Sequence, residues 1–276
     1  MGEAYRVQTR LQRRQSAGRR TTPVGAAIGR PPEAFAFDLR PLRMGGHRPP
    51  AACRRGRNTM KSLWNSLKLL IWPPRCVLCH RILESEAGRL CPGCAASLPE
   101  PFSGARRGSH YKRWASALWY EDRVRESFLR FKFGGCRFYA ELYGPWLANA
   151  VTKLLGTDYE LLTYVPISRL RKRRRGYDQT LLLAEAAGRE LGMKPVCTLK
   201  KRSRVKPQSR TLGPEERQRN IRGAFSVPDP ALVRGKRVLL IDDVLTTGAT
   251  VSEASRMLLE AGAKSVDVAT LAAAPT

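Results

Sequence analysis

The sequence predicts an α/β protein: a mainly parallel sheet flanked by helices, preceded by a small segment organised by four cysteines. Three observations predict it. From Trp114 to Leu271, short apolar runs alternate with amphipathic stretches of helical length, the order that makes parallel strands with helices packed on the sheet. The run Val238-Leu239-Leu240-Ile241 is apolar without alternation, as a strand buried on both faces requires. Two Cys-x-x-Cys pairs, Cys76/Cys79 and Cys91/Cys94, stand close together ahead of that region.

Composition bounds the answer. The 276 residues carry 50 Lys+Arg against 23 Asp+Glu, a formal charge of +27. That length suits one to two domains, and 42% hydrophobic residues exclude wholesale disorder. No stretch approaches the ~18 uninterrupted apolar residues of a membrane helix, so no membrane insertion is expected. The seven cysteines do not scatter like a secreted disulfide framework, and a reducing, cytoplasmic setting fits them best. The basic excess points to polyanionic partners, phosphates or nucleic acid.

The elements follow in chain order. Residues 1–59 hold thirteen Arg, no Lys and three acids, without any helical or strand period. They read as a disordered basic tail or as a non-native extension ahead of a start at Met60. The sudden appearance of Lys at Lys61 favours the second. The next segment, 60–109, opens with Leu63, Trp64, Leu67, Leu70 and Ile71 on one face of a short helix that stops near Pro73-Pro74. The cysteine pairs come next, then a Pro/Gly/Ser-rich linker at Leu98–Ser109. The main domain is expected over 110–276, with a strand at 114–120 and helices at 121–132 and 137–155 separated by Gly134-Gly135. A strand at Leu161–Val165, a helix at Asp178–Leu191 and a strand near Pro195–Leu199 follow. After a long polar loop come a strand at Arg237–Ile241, a helix at Thr250–Ala261 and a strand at Ser265–Leu271. Ligands of such sheets gather at the carboxyl ends of the strands.

Each cysteine pair can clip two thiolates onto one tetrahedral ion, and two such knuckles complete a closed site for Zn2+. Pro92-Gly93 supplies the tight turn of the second pair. Four sulfur ligands leave no position for water, so the expected role is structural. The alternative, two disulfides or four free thiols, fits a reducing compartment less well. His80 adjoins the first pair but is not needed to satisfy the ion.

The second site lies at Asp242-Asp243-Val244-Leu245-Thr246-Thr247-Gly248-Ala249-Thr250. Here the apolar strand ends in two carboxylates, and a loop of threonines and glycine opens a helix. Backbone amides, hydroxyls and the positive helix end suit a phosphate monoester. Adjacent carboxylates accept hydrogen bonds from vicinal ribose hydroxyls. Together they describe a 5-phosphoribosyl group, with phosphate in the loop and sugar on Asp242 and Asp243.

This segment resembles the phosphoribosyl pyrophosphate (PRPP) motif of type I phosphoribosyltransferases. Val165-Pro166-Ile167-Ser168, then Arg175-Gly176-Tyr177-Asp178-Gln179, then Gln208, Arg217, Asn220 and Gly223-Ala224-Phe225, all behind a four-cysteine knuckle pair, extend the likeness. In this order the chain from Met60 onward is similar to the ComF competence family. The resemblance implies a type I phosphoribosyltransferase-like fold behind a small zinc ribbon, PRPP as ligand with Mg2+, and a role in natural transformation. It implies a pyrophosphate loop at Pro166–Arg169, with Pro166, Ser168, Arg169 and Arg175 around the leaving group. It also implies a mobile loop over 200–222 that carries Gln208, Arg217 and Asn220, whose closure would exclude water. No hood that would read an acceptor base is visible beyond the ribbon, and no general base stands out.

Arg169–Arg175 (RLRKRRR) places six basic residues in seven positions. It fits a solvated face, a phosphate ligand or a DNA-backbone contact. Aromatics near cations, Trp114, Trp119, Tyr120, Phe128, Phe131 and Phe133, could stack single-stranded bases, but their near-helical spacing favours core packing for most. Two functions therefore stand: a PRPP-dependent phosphoribosyltransferase with unknown acceptor, or a non-catalytic module that keeps the PRPP pocket and binds single-stranded DNA or other transformation proteins.

Overall fold

The computed structural model describes residues 73–84, 89–104, 109–202 and 221–275, all within the unit Arg55–Thr276. The basic segment 1–59, the helix expected at 63–71, and Gln208, Arg217 and Asn220 lie outside the described residues.

The described elements are α1 (Pro92–Ala96), β1 (Trp114–Trp119), α2 (Asp122–Phe133), α3 (Ala140–Leu154), β2 (Leu161–Tyr164), α4 (Arg169–Arg175), α5 (Gln179–Glu190), β3 (Lys200–Lys201), β4 (Phe225–Ser226), β5 (Arg237–Leu245), α6 (Ala249–Glu260) and β6 (Ser265–Ala273). Strands β1, β6, β5 and β2 form one sheet in that order, and every pairing in it is parallel. The short strands β3 and β4 pair antiparallel beside it.

Alternation along β5 sorts the core into two layers, because successive side chains point to opposite faces. Leu239 and Ile241 pack with Leu147 and Val151 of α3 and Leu183 of α5. Val238 and Leu240 pack with Val251, Ala254 and Leu258 of α6. The sheet is thus covered on both sides, which is why its strands tolerate unbroken apolar runs. On the first side α3 and α5 approach closely at Gly144, where an added Cβ would lie 2.4 Å from the Ala186 Cβ. Any larger residue at Gly144 would push the two helices apart.

This layering positions the site. Beyond α4, the connection from β2 packs on one face through α5, whereas the helix that follows β5 (α6) lies on the other. Adjacent parallel strands whose connections leave to opposite faces open a crevice at their carboxyl ends. The crevice lies between the loop after Tyr164 and the loop after Leu245.

Several expectations are corrected. No strand forms at Pro195–Leu199; a single bridge joins Leu162 to Pro195, and Thr163 Oγ1 donates to the Val196 carbonyl at 2.8 Å. The neighbouring strand is the two-residue β3. β5 does not stop at Ile241 but continues to Leu245, with Asp242 paired to Thr270 and Val244 to Ala272. Pro92-Gly93 is not a tight turn: Pro92 occupies the first position of α1 and Cys91 is its N-cap, a place proline favours because its missing N–H is not needed there. The basic run is a helix, α4, with Ser168 accepting from the Arg171 amide as N-cap.

Candidate functional site

The cysteine cluster is assembled by two short turns. In the first, the His80 amide donates to the Cys76 carbonyl at 2.8 Å; in the second, the Ala95 amide donates to the Cys91 carbonyl at 3.0 Å. The four sulfurs all lie within 4.8 Å of one another, and Cys79 Sγ is 3.6 Å from Cys91 Sγ. Sulfurs on a tetrahedral ion at ~2.3 Å stand about 3.8 Å apart, so the four residues fit a metal. Burial raises the Cys76 thiol, but amides of Cys79, Cys91 and Leu78 outweigh it and hold it at about 7. Burial, then hydrogen bonds with its neighbours, pushes Cys94 up to about 12. His80 is exposed and belongs to no ligand cluster among the described residues.

Asp242 and Asp243 are neighbours in sequence that face opposite layers, as alternation along a strand demands. Asp243 is gripped by Lys132 Nζ of α2 at 2.8 Å and by Gln179 Nε2 of α5 at 3.0 Å. Gln179 is buried, and its Oε1 has no partner among the described residues. Asp242 is buried and accepts from the Asp243 amide at 2.8 Å. Burial, then the Asp243 carboxylate, raises its pKa to about 8. A carboxyl raised on folding favours the folded state below its unfolded value, and that advantage is lost as pH rises through the folded one. Stability of the ligand-free protein is therefore expected to fall between pH ~4 and pH ~8, and Asp242→Asn to flatten the slope. Melting temperatures across that range check it; identical slopes in the two proteins would remove the assignment.

The two flanking loops carry the remaining groups. After β5, Thr246 and Thr247 are exposed, and Gly248 takes φ +75° as N-cap of α6, a conformation that penalises any side chain. Thr247 Oγ1 accepts from the Ala249 amide at 3.4 Å. Ala249 and Thr250 form the first turn of α6, whose leading amides lack partners within the helix. After β2, the Pro166–Ser168 loop is tied down by Asp178, whose Oδ2 accepts from the Ile167 amide at 3.3 Å. Asp178 Oδ1 also caps α5 through the Thr180 and Leu181 amides at 3.1 and 3.3 Å. Arg169 is exposed at the start of α4; Arg175, at its end, lies 4.7 Å over the Phe133 ring. Burial lowers Arg175, and the Asp243 carboxylate opposes that. Lys201, on β3, is lowered by burial and by Arg171 and is attracted by Asp242 and Asp243.

The structure thus brings the acid pair, the Thr-rich loop, Arg175 and the loop after β2 to one crevice. Sequence reasoning missed Lys132, Lys201, and the parts played by Gln179 and Asp178. A single lysine at the end of an amphipathic helix carries no signal that names a partner on a distant strand. Of the aromatics, Trp114, Phe128 and Phe131 are core residues, whereas Phe133 is 68% exposed.

Comparisons with known proteins agree with this layout. A family model described as "Phosphoribosyl transferase domain" matches residues 178–276. Competence protein ComFC of Bacillus subtilis (strain 168) is 29% identical over 213 residues, covering 72% of this chain and 84% of its own length. Competence protein F of Haemophilus influenzae is 28% identical over 226 residues, covering 72% of this chain and 97% of its own. The DNA utilization protein YhgH of Escherichia coli (strain K12) is 36% identical over 104 residues, covering 38% of this chain and 45% of its own. A phosphoribosyl transferase domain thus lies behind a four-cysteine cluster, and along most of its length the chain is similar to competence proteins of the ComF type.

Proposed function

We propose that the chain binds PRPP in the crevice between β2 and β5 and acts as a phosphoribosyltransferase-like protein linked to DNA uptake in the cytoplasm. The observation that carries this reading is the acid pair at the end of β5, flanked by two loops suited to phosphate. In the reading, the 5-phosphate lies against Thr246–Thr250 and the helix amides of α6. The ribose hydroxyls meet Asp242, Asp243 and the unpartnered Gln179 Oε1. Pro166, Ser168, Arg169 and Arg175 surround the pyrophosphate, with Gln208, Arg217 and Asn220 contributing from the segment between β3 and β4.

The residues present suit the ligand's chemistry. Lys132 holds Asp243 in position through their ion pair, Asp178 fixes the loop after β2, and the cations of α4 stabilise charge on a departing pyrophosphate. Mg2+ entering with PRPP would neutralise part of the pyrophosphate charge beside Ser168 and Arg175. The cysteine cluster, assigned to Zn2+, has a structural role. We assign 60–109 to the cysteine segment and 110–276 to the transferase-like domain. Calorimetric titration of the zinc-loaded chain with Mg-PRPP tests the reading: saturable one-site binding supports it, and no heat of binding removes it. Pyrophosphate release on adding candidate acceptors then separates turnover from binding alone.

A specific surface favours a second reading, in which single-stranded DNA is handled beside the pocket. α4 is exposed along its length except at Arg175, and Leu170 in it is 66% exposed. One exposed ring lies against it, Phe133 below Arg175 at 4.7 Å, and a second exposed ring elsewhere, Phe138, lies below Arg89 at 5.4 Å. Exposed rings amid cations suit base stacking with backbone neutralisation. Oligo(dT) affinity is expected to fall steeply with salt, and Phe133→Ala to weaken it by about 1–3 kcal/mol. Anisotropy titrations check this; salt-independent binding, or an unchanged Phe133→Ala, would defeat the reading.

A further inference from the structure

The geometry points to a linkage between the two sites: the four-cysteine knuckle sets the position of Lys132 against Asp243, so metal on the cysteines and PRPP on the acid pair favour each other through α2. The inference rests on the acid pair being the PRPP site.

The connection is made of direct contacts. Val77 and Leu78 are the two residues between Cys76 and Cys79, so holding those thiols on one ion fixes their carbonyls. Both carbonyls are used by α2. Ser127 Oγ donates to the Val77 carbonyl at 2.5 Å, and Arg130 Nη2 donates to the Val77 and Leu78 carbonyls at 3.1 and 2.7 Å. Val77 itself is fully buried in the cluster that contains Phe128, Phe131 and Tyr143. Val124, one turn earlier on α2, packs on the cysteine cluster, and Arg123 Nη1 reaches Cys94 Sγ at 3.9 Å. One face of α2 is therefore docked on the knuckle.

The opposite face meets the site. Arg130 and Lys132 are two positions apart, about 200° around a helix, so a single rigid turn carries both contacts. Lys132 Nζ lies 2.8 Å from Asp243 Oδ2 and 4.8 Å from the centre of the Phe128 ring. Lys132 and Asp243 are 17% and 14% exposed, so solvent screens this pair weakly. Lys132 is thus a positioning residue for Asp243. A knuckle without metal loses the constraint on the Val77 and Leu78 carbonyls, and α2 loses the anchor that aims the ammonium. Linkage makes the effect reciprocal: PRPP must slow metal loss by the same coupling.

The test uses the full chain loaded with zinc, with Arg130→Gln, Lys132→Met, their double variant, Lys132→Arg and Asp243→Asn. Mg-PRPP affinity is read by calorimetry and zinc release by a chelating dye. Arg130→Gln, which keeps all four ligands, is expected to retain zinc stoichiometry yet to bind Mg-PRPP at least about fivefold more weakly, the lower end of typical coupling between sites. The double variant should bind no more weakly than Lys132→Met, because both changes cut one path. Lys132→Arg should restore part of the affinity. PRPP should slow zinc release from the wild type but not from Lys132→Met. Additive losses in the double variant, or zinc release indifferent to PRPP in a wild type that binds it, overturn the linkage. If the wild type does not bind PRPP, the proposed function fails by itself. The linkage is then decided by zinc release without ligand, faster in Lys132→Met and Asp243→Asn if it holds and unchanged if it does not. The same release measurement decides it if Arg130→Gln does not fold.

Discussion

Asp242→Asn combined with Asp243→Asn is expected to abolish Mg-PRPP binding, by at least about a hundredfold, while leaving a cooperative melting transition. Loss of two hydrogen bonds to ribose hydroxyls, with buried carboxamides left mispaired at about 1–3 kcal/mol each, accounts for a loss of that size. The fold should survive because neither carboxylate is part of the apolar layers; Leu239 and Ile241 on one face and Val238 and Leu240 on the other hold β5. Relief of burying Asp242 next to a second carboxylate even favours the variant's folded state. The single variants should differ. Asp243→Asn also strands Lys132, which has its ion pair there, and should therefore lower the melting temperature more than Asp242→Asn. Calorimetry and a melting curve on the three proteins check these outcomes, and undiminished PRPP affinity in the double variant would remove the acid pair from the site.

Loss of one cysteine ligand should have the largest structural effect. Cys91→Ser is expected to disorder residues 76–94, because structural zinc supplies ~10–16 kcal/mol to segments too small to fold alone. That segment's own buried cluster is small, made of Cys76, Leu78, Cys91 and Cys94 with a few half-buried neighbours. The damage should not stop there. Val77 fills a place in the main core, and the Ser127 and Arg130 donors of α2 would lose their knuckle acceptors. Hydrogen exchange should show protection lost first over 76–94 and next along 122–133, with zinc content falling in parallel. Metal-free protein with an unchanged melting curve would overturn the structural role.

Much of this was legible without coordinates. The sulfur site needs four thiolates at short spacing, and that requirement is written locally in the two Cys-x-x-Cys pairs. The loop proposed for phosphate is local too, since a strand, two acids, a Thr-rich turn and a helix start follow one another within a single run. Gly248 in a left-handed conformation is the kind of position a sequence advertises. The lengths of α2, α3 and α5 followed from apolar periodicity to within a residue or two, apart from the 3-10 turn Arg137–Tyr139 that leads into α3.

What the sequence by itself determined is therefore local: the clustered thiols, the acid pair, the Thr-rich loop that opens a helix, and the alternation of strands and helices. Only the tertiary structure decided how these are joined. Strand order placed β2 beside β5 and so opened the crevice. Alternation turned Asp242 and Asp243 to opposite layers, and packing brought Lys132 and Gln179 to the second of them. The strand expected at Pro195–Leu199 reduced to a single bridge on the other edge of β2, because Pro195 has no N–H to give the ladder and the Val196 carbonyl accepts from the Thr163 side chain instead. Contacts of this kind depend on which distant segments become neighbours, and a hydrophobic period records a segment's own conformation but not the identity of what it meets.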